Sequence, residues 1–267
     1  MPANEMPAAA GGDAQPDPVA LFVSDVHLQP ALPRTTQAFL DFLRKHACRA
    51  QRLYLLGDLF EYWAGDDDIE DPYNLAVVAA LREVSDAGVQ LYWIPGNRDF
   101  LVGEAFAGAA GLQLLSEPHV LQLAGRKLVL VHGDAQCTDD TGYMAFRAQV
   151  RQPGWQAAFL AKSLAERKAI IAGMRSGSRE AQREKSYAIM DVNQEAIEDL
   201  FAASGAEAMI HGHTHRPAVH RHPAPQGERE RHVLPDWDCD ATPARGGWLA
   251  LQYDGTFRHV PVETAAS

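Results

Sequence analysis

The sequence has few cysteines, and their arrangement does not suggest a site. There are three in 267 residues, Cys48, Cys137 and Cys239, which are far apart and include no Cys-x-x-Cys pair. An odd number of isolated cysteines argues against a disulfide framework and against a thiolate zinc site. A reducing compartment fits this usage best.

Long hydrophobic runs and a secretory signal are also missing. No apolar run approaches the roughly 20 residues that a membrane-spanning helix needs. Residues 1–18, rich in Ala, Gly, Pro and Asp, have neither a basic start nor an apolar segment. We expect residues 1–18 to form a disordered leader and residues 19–267 to form one soluble or peripheral domain.

Positive charge is scarce overall but concentrated in one region. The net charge of -11 argues against nucleic acid as a partner. Residues 141–190 nevertheless contain nine Lys or Arg and only three Glu, a net charge of +6. The sequence therefore places a cationic segment within an acidic chain.

Short apolar runs alternate with helical spacing in the first hundred residues. Strands are predicted over 19–24, 52–56 and 89–94, with amphipathic helices between them, the second one closed by Gly88. This βαβα order favours an α/β fold whose sheet has parallel strands. Hairpins are predicted about Gly125 and about Asp254-Gly255, and a further strand over 206–210.

Residues 135–190 have helical composition and no strand-like alternation. We interpret them as a helical cap inserted between strands, with stops around Gly154 and Gly173. Apolar residues recur there at helical spacing beside the cations: Trp155, Phe159, Leu160, Leu164, Ile170, Ile171 and Met174. They can form the cap's own core or line an acyl groove, and the cations can be a solvated face or meet a membrane. We expect both uses.

Five segments place Asp, Asn or His just after a predicted strand. They are Asp25-x-His27, Gly57-Asp58, Gly96-Asn97-Arg98-Asp99, His132-Gly133-Asp134 and Gly212-His213-x-His215. Strand ends at one edge of an α/β sheet converge on a common crevice. If the backbone stays extended, each two-residue spacing puts both side chains on one face.

Each fragment alone has an ordinary explanation. An Asp at a strand end is more often a helix cap or turn former than a ligand, and His211 has low odds of ligation. Five fragments in compatible order favour a metal site. Imidazoles with oxygen donors and no thiolate suit Mn²⁺, Fe or Zn²⁺ without choosing among them. Two divalent ions would outweigh the two carboxylates and favour an anionic phosphoester substrate.

Together these motifs resemble the calcineurin-like metallophosphoesterases over about residues 21–217. The resemblance implies an α/β (α+β) fold of four layers, two mixed β-sheets flanked by helices, with the inserted cap. It implies two divalent ions. Around one ion it implies Asp25, His27, Asp58 and His215. Around the other it implies Asp58, Asn97, His132 and His213.

Longer segments, such as 57–60, 96–101, 137–140 and 188–194, resemble the members of that family that act in lipid A synthesis. This implies hydrolysis of the diphosphate bond of UDP-2,3-diacylglucosamine, usually with Mn²⁺, at the cytoplasmic face of the bacterial inner membrane. The implied catalytic residues are Asp58, Asn97, Arg98 and His213. The implied substrate contacts are Asn97, Arg98, Asp140, Ser178, Gln182, Lys185 and His213, with Gln182 in place of a shorter Asn.

Two other functions use the same ligands. One is a metallophosphoesterase for soluble nucleotides or cyclic phosphodiesters, which only the cap distinguishes from the first. The other is a binding scaffold that kept the fold and lost catalysis, for which a missing ligand is the expected mark. We expect a monomer.

Overall fold

Two mixed β-sheets pack face to face. The structure, a computed structural model, describes residues 17–184, 191–224 and 227–263, with the backbone alone over 175–184. The first sheet has the strand order β11-β10-β1-β2-β3-β4. Its strands are β1 (Ala20–Val23), β2 (Arg52–Leu55), β3 (Gln90–Trp93), β4 (Leu112–Leu114), β10 (Gly247–Leu251) and β11 (Phe257–Pro261). β1 to β4 are parallel, and β10 and β11 run antiparallel to their neighbours.

The second sheet has the strand order β5-β6-β7-β9-β8. Its strands are β5 (His119–Leu123), β6 (Arg126–Leu130), β7 (Ala208–His211), β8 (Ala218–Ala224) and β9 (Gly227–Val233). β6, β7 and β9 are parallel, while β5 and β8 are antiparallel edge strands. Both sheets are therefore mixed, as the sequence led us to expect.

Alternating side chains of the strands place the core on both faces of each sheet. In β1, Leu21 and Val23 pack with helices α1 (Pro33–Lys45), α2 (Pro72–Asp86) and α3 (Glu104–Ala110). Ala20 and Phe22, on the opposite face, pack between the sheets. The far side of the second sheet is covered by α7 (Gln194–Ser204). The layers are thus helix, sheet, sheet, helix, and the predicted fold class is confirmed.

Three helices follow β6 and precede β7 along the chain: α4 (Thr141–Val150), α5 (Pro153–Leu160) and α6 (Leu164–Glu184). They lie within the segment predicted to be a helical cap. The limits of that cap at about 135–190 stay a prediction. The predicted stop at Gly173 is wrong, because α6 runs through it. A mid-helix glycine costs only about 1 kcal/mol, and neighbouring helical residues override it.

Two cations of the cap, Arg167 and Lys168, contact the main body. Arg167 is buried, donates to the Ala64 carbonyl oxygen at 2.5 Å and pairs with Asp67. The Lys168 ammonium lies 2.6 Å from Asp68, which is also buried. These cations fasten α6 to the loop after β2. Neither of these two cations lies on the solvated face that we expected of the cationic segment, and membrane contact by the segment stays a prediction.

The loop that follows β2 depends on one carboxylate, that of Asp66. It accepts from the Trp63 indole at 3.1 Å and from the amides of Gly103 and Phe106, both at 3.0 Å. The last two amides belong to the first turn of α3, where such donors have no partner within the helix. Asp66 therefore joins this loop to α3.

Replacing Asp66 by Ala is expected to lower the free energy of unfolding by about 3 kcal/mol, because three donors lose their acceptor. Urea unfolding of the full chain measures it. Asp86→Ala is the control, since Asp86 is exposed and pairs only with Arg82 one turn away. A change within about 0.5 kcal/mol is expected there. Equal losses in the two variants would contradict the role given to Asp66.

Candidate metal centre

The seven predicted ligands follow the ends of five strands from both sheets. Their loops come together where the sheets' carboxyl ends meet. The first sheet supplies Asp25 and His27 after β1, Asp58 after β2 and Asn97 after β3. The second sheet supplies His132 after β6, and His213 and His215 after β7. The structure thus brings together all seven residues, scattered over almost 200 positions.

The first group consists of Asp25, His27 and His215, one ligand atom from each lying within 4.8 Å of the others. The Nε2 atoms of His27 and His215 are 3.2 Å apart, and that of His215 is 3.4 Å from Asp25 Oδ1. Two imidazole nitrogens and a carboxylate oxygen therefore converge, a donor set that divalent transition metals accept.

The second group is built around Asn97. Its Oδ1 atom lies 2.9 Å from Nδ1 of His213 and 3.0 Å from Nε2 of His132. Nε2 of His132 is also 3.7 Å from Asp58 Oδ1. One ligand atom from each of Asp25, Asp58 and His132 also lies within 4.8 Å of the other two. Asp25 therefore belongs to both groups, so the two candidate positions are adjacent.

The backbone at the centre is unusual. Asp25, His27, Asp58, His213 and His215 have φ between 52° and 66°, the left-handed region that residues other than glycine rarely adopt. Our assumption of extended backbone through both two-residue spacings is therefore wrong. A left-handed residue at each of these five positions turns the chain sharply, so the side chains converge without a strand. Strain of this kind clusters at functional sites.

The electrostatics favour cations. Oδ1 of Asp25 is fully buried and, among the described residues, makes no hydrogen bond of good geometry; Nε2 of His215 lies 3.4 Å away. Against the cost of burial, the neighbouring imidazoles of His215, His132 and His27 hold the pKa of Asp25 well below its usual range. Burial lowers the pKa of His132, but the charges of Asp58 and Asp25 outweigh it and raise this pKa to about 9. The buried carboxylates thus favour a proton on His132 in the metal-free protein. A divalent ion at this position would satisfy the same negative charges, so the residues fit a metal.

Glycines let the ligand loops touch. A Cβ on Gly96 would lie 2.1 Å from Asp58 Oδ1 and 2.3 Å from the Asp58 nitrogen. A Cβ on Gly212 would lie 2.1 Å from Asp25 Oδ2. Both contacts are closer than any side-chain carbon can approach. The glycines before Asn97 and His213 are therefore required by the close approach of the loops.

Asp99, the last residue of the Gly96-Asn97-Arg98-Asp99 motif, is a clamp rather than a ligand. Its carboxylate accepts from the amides of Gly96 and Leu59, both at 2.8 Å, and of Asp58 at 3.2 Å. Burial and the Asp58 charge raise its pKa to about 7. Asp99 holds the β2 and β3 loops together and so fixes Asp58 beside Asn97.

Glu61 was not predicted from the sequence, yet it lies between a ligand and a cation. Its carboxylate is 3.3 Å from His27 Nδ1 and 3.6 Å from the Arg98 guanidinium. Arg98 is partly exposed and its Nε atom lies 4.0 Å from Asp58. A carboxylate three residues beyond the Gly57-Asp58 motif was the available signal.

The remaining predicted substrate contacts are placed unevenly. Asp140 is the N-cap of α4, and its side chain accepts from the Tyr143 amide at 3.0 Å. Ser178 and Gln182 fall in the part of α6 whose backbone alone is described, and Lys185 lies outside the described residues. The contacts themselves stay predictions.

Two residues near the motifs have other roles. Nε2 of His211 lies 3.0 Å from the Arg231 guanidinium, and burial with the Arg231 charge lowers the pKa of His211 to about 3. Asp134, of the His132-Gly133-Asp134 turn, accepts from the Tyr143 hydroxyl at 2.5 Å and from Arg147 at 2.8 Å. The same turn therefore supplies a ligand and anchors the cap helix α4.

A two-sheet sandwich with this ligand set defines a metallophosphoesterase. In agreement, the sequence model of the calcineurin-like phosphoesterase family matches residues 19–217. The chain is 50% identical over 222 residues to the UDP-2,3-diacylglucosamine hydrolase of Aromatoleum aromaticum, covering 83% of this chain and 90% of the relative.

The enzymes of that name from Escherichia coli and Bordetella pertussis are 50% and 47% identical. They cover 83% and 87% of this chain, and the matches span 92% and 91% of the relatives. The chain belongs to the calcineurin-like phosphoesterases, and within them to the family of UDP-2,3-diacylglucosamine hydrolases. It is a hydrolase with residues placed to hold divalent metal.

Replacing Gly96 by Ala is expected to displace Asp58 and to lower metal-dependent turnover of a phosphoester by about 100-fold, since misplacement by 1 Å has that effect. Bound metal per chain and turnover are both measured. Gly108→Ala is the control, because a Cβ there meets nothing within 4 Å and the residue lies in α3. Full activity is expected for it. Wild-type metal content and turnover in Gly96→Ala would contradict the close approach.

Proposed function

We propose that this protein hydrolyses the diphosphate bond of UDP-2,3-diacylglucosamine, releasing UMP and 2,3-diacylglucosamine 1-phosphate for lipid A synthesis. The observation that carries the proposal is the meeting of Asp, Asn and His donors from five loops around two adjacent positions. The names of the relatives supply the substrate.

Two divalent ions, Mn²⁺ in the favoured case, occupy these positions in the proposal. Asp25, His27, Asp58 and His215 hold one ion, and Asp58, Asn97, His132 and His213 hold the other. When bound, such a pair supplies activation of water near neutral pH and neutralisation of phosphoryl charge. Every ligand comes from one chain, so the proposed active form is a monomer.

The protein's own part is to bind and orient the diphosphate. The Arg98 guanidinium stands beside the centre, with Glu61 at 3.6 Å and Asp58 at 4.0 Å fixing its direction. Its planar fork suits two oxygens of a phosphoryl group. His213 is neutral at pH 7, because burial and the charge of His132 lower its pKa to about 4. A neutral imidazole is free to ligate.

The cap supports a lipid-linked substrate over a soluble nucleotide. Its predicted apolar stripe divides in two. Phe159 is buried in the main core, with Trp155 and Ile171 packed against it. Leu160, Ile170 and Met174 of the same stripe, and Phe146 of α4 outside it, leave 37–41% of their surface exposed. In the proposal these exposed side chains line an acyl groove, beside sugar contacts from Asp140, Ser178, Gln182 and Lys185.

The proposed place of action is the cytoplasmic face of the bacterial inner membrane, where a diacylated nucleotide sugar resides. Over the described residues, no helix is both long enough and apolar enough to span a bilayer. Association is proposed to be peripheral, through the exposed apolar side chains of the cap rather than through Arg167 and Lys168, which bind the main body.

Replacing Asp58 by Asn is expected to lower turnover at saturating Mn²⁺ by more than about 100-fold, since a direct ligand should matter at least as much as its outer partners. The metal-free variant should fold, because Asp58 repels the buried Asp99. Turnover with Mn²⁺ or with chelator, plus thermal unfolding, tests both. Asp41→Asn, on the exposed face of α1, is the control. An active Asp58→Asn protein would contradict the proposed site.

Removing the acyl chains from the substrate is expected to lower kcat/KM by about 100-fold or more, since each buried methylene contributes about 0.8 kcal/mol. Ile170→Lys should lower kcat/KM for the diacyl substrate and leave the deacylated analogue unaffected. Val219→Lys, on β8 and also exposed, is the matched control.

Equal rates on both substrates would favour the soluble-nucleotide function. No metal-dependent turnover of any phosphoester would instead favour the silent scaffold.

A further inference from the structure

The loop between β9 and β10 lies against the candidate metal centre. It starts where the Leu234 amide donates to the His211 carbonyl oxygen at 2.7 Å. Three residues later, the Trp237 amide donates to the Asp25 carbonyl oxygen at 2.9 Å, and the Trp237 ring packs against Phe39 and Phe42 of α1. The sequence suggested no role for this part of the tail. Its backbone is nevertheless attached to a predicted ligand.

Asp236, between those two attachment points, faces the outer nitrogen of a predicted ligand. Its Oδ2 atom is 3.7 Å from Nδ1 of His215, and Asp236 is only 6% exposed. The opposite nitrogen of His215, Nε2, points to Asp25 and His27 at 3.4 and 3.2 Å. The imidazole thus lies between the cluster on one side and a buried carboxylate on the other.

A cation holds the Asp236 carboxylate in this direction. The Arg245 Nε atom donates to Asp236 Oδ2 at 2.7 Å, and its Nη2 atom lies 3.3 Å from Asp238. Paired backbone hydrogen bonds between Asp238 and Arg245, of 2.9 and 3.1 Å, close the loop on itself. The carboxylate is therefore fixed from behind by the same loop that carries it.

We infer that Asp236 is a positioning residue that orients His215 toward one of the two metal positions and makes its imidazole a stronger ligand. A metal-binding imidazole commonly donates its other N–H to a carboxylate, which fixes the tautomer and raises the basicity of the ligand. This inference rests on the proposed metal centre. It gives the tail a function in the centre rather than in the fold alone.

The two metal positions differ in this respect. His27, in the same group as His215, also has a carboxylate at its outer nitrogen, Glu61 at 3.3 Å. His132, in the other group, instead places Nδ1 2.8 Å from the Leu56 carbonyl oxygen. Carboxylates thus support the imidazoles of one position and a neutral carbonyl supports His132 at the other. Loss of Asp236 should therefore lower the affinity for one ion and leave the affinity for the other unchanged.

The test is Mn²⁺ binding to full-length, chelator-stripped protein, followed by calorimetry and by the electron paramagnetic resonance of free Mn²⁺. Wild type is expected to bind two ions. Asp236→Asn, which keeps the shape and removes the charge, is expected to bind one of them 10- to 100-fold more weakly. Its metal-free melting temperature should stay within about 4 °C of wild type, because Asn keeps an oxygen that can accept from Arg245 and the Arg245 side chain is half exposed.

Asp238→Asn is the matched control, because Asp238 lies 3.3 Å from Arg245 in the same loop, and its described contacts are with Arg245 and the Ala241 amide rather than with His215. Wild-type affinities are expected for it. Unchanged Mn²⁺ binding in Asp236→Asn would overturn the inference, and so would equal weakening in both variants, which would indicate a general effect of the loop. If wild type itself binds no Mn²⁺, the proposed metal function fails. If wild type binds two ions and Asp236→Asn binds them equally well, the inference about Asp236 alone fails.

A second variant covers the case in which metal-free Asp236→Asn does not fold. Arg245→Gln keeps the carboxylate and removes the group that directs it, so the same ion should bind several-fold more weakly. In a His215→Ala background, Asp and Asn at position 236 should give equal Mn²⁺ affinities, because the ring that transmits the effect is gone. A full-sized effect of Asp236→Asn in that background would overturn the inference.

Discussion

The contact between the two sheets at Asp25 is the constraint on which the centre depends. This residue is fully buried at the end of β1, and its carboxylate accepts from the His213 amide of the second sheet at 2.8 Å. Its own amide donates to Gly57, and its carbonyl oxygen accepts from Trp237. One residue thus fixes three loops by short hydrogen bonds. If Asp25 moved, the ligands of both metal positions would separate.

Holding these loops together requires an arrangement that is unfavourable for the protein alone. Three carboxylates, Asp25, Asp58 and Asp99, are buried close to one another, and five ligands adopt left-handed backbone. Buried like charges and strained φ angles each cost free energy. The amides that surround Asp99 and the protonation of His132 offset part of this cost. Divalent ions at the same place offset it more completely, which explains why strain and charge coincide with the predicted ligands.

The residues that converge at the candidate centre could be predicted from the sequence because each follows a strand, and strand ends are readable from apolar runs. Sequence reasoning could not give the geometry, since a left-handed φ at His27 or His215 has no signature when the residue is not glycine. It also missed partners that are distant in sequence: Arg167 pairs with Asp67, one hundred positions away. Gly173 misled it, because packing of α6 overrides a weak local preference. β4, β8, β9 and α3 were not predicted, as their segments are short or polar.

The position of α4 in the cap is fixed by the loops of the candidate centre. Asp134 lies two residues after His132 and binds both Tyr143 and Arg147 of α4, while Arg151, at the end of that helix, donates to the Gly96 carbonyl oxygen at 2.9 Å. The ligand loops of β3 and β6 therefore each hold one end of α4. Any shift of these loops that changed the metal positions would also move α4. In the proposed function, this coupling keeps any substrate contact made by α4 in register with the candidate metal centre.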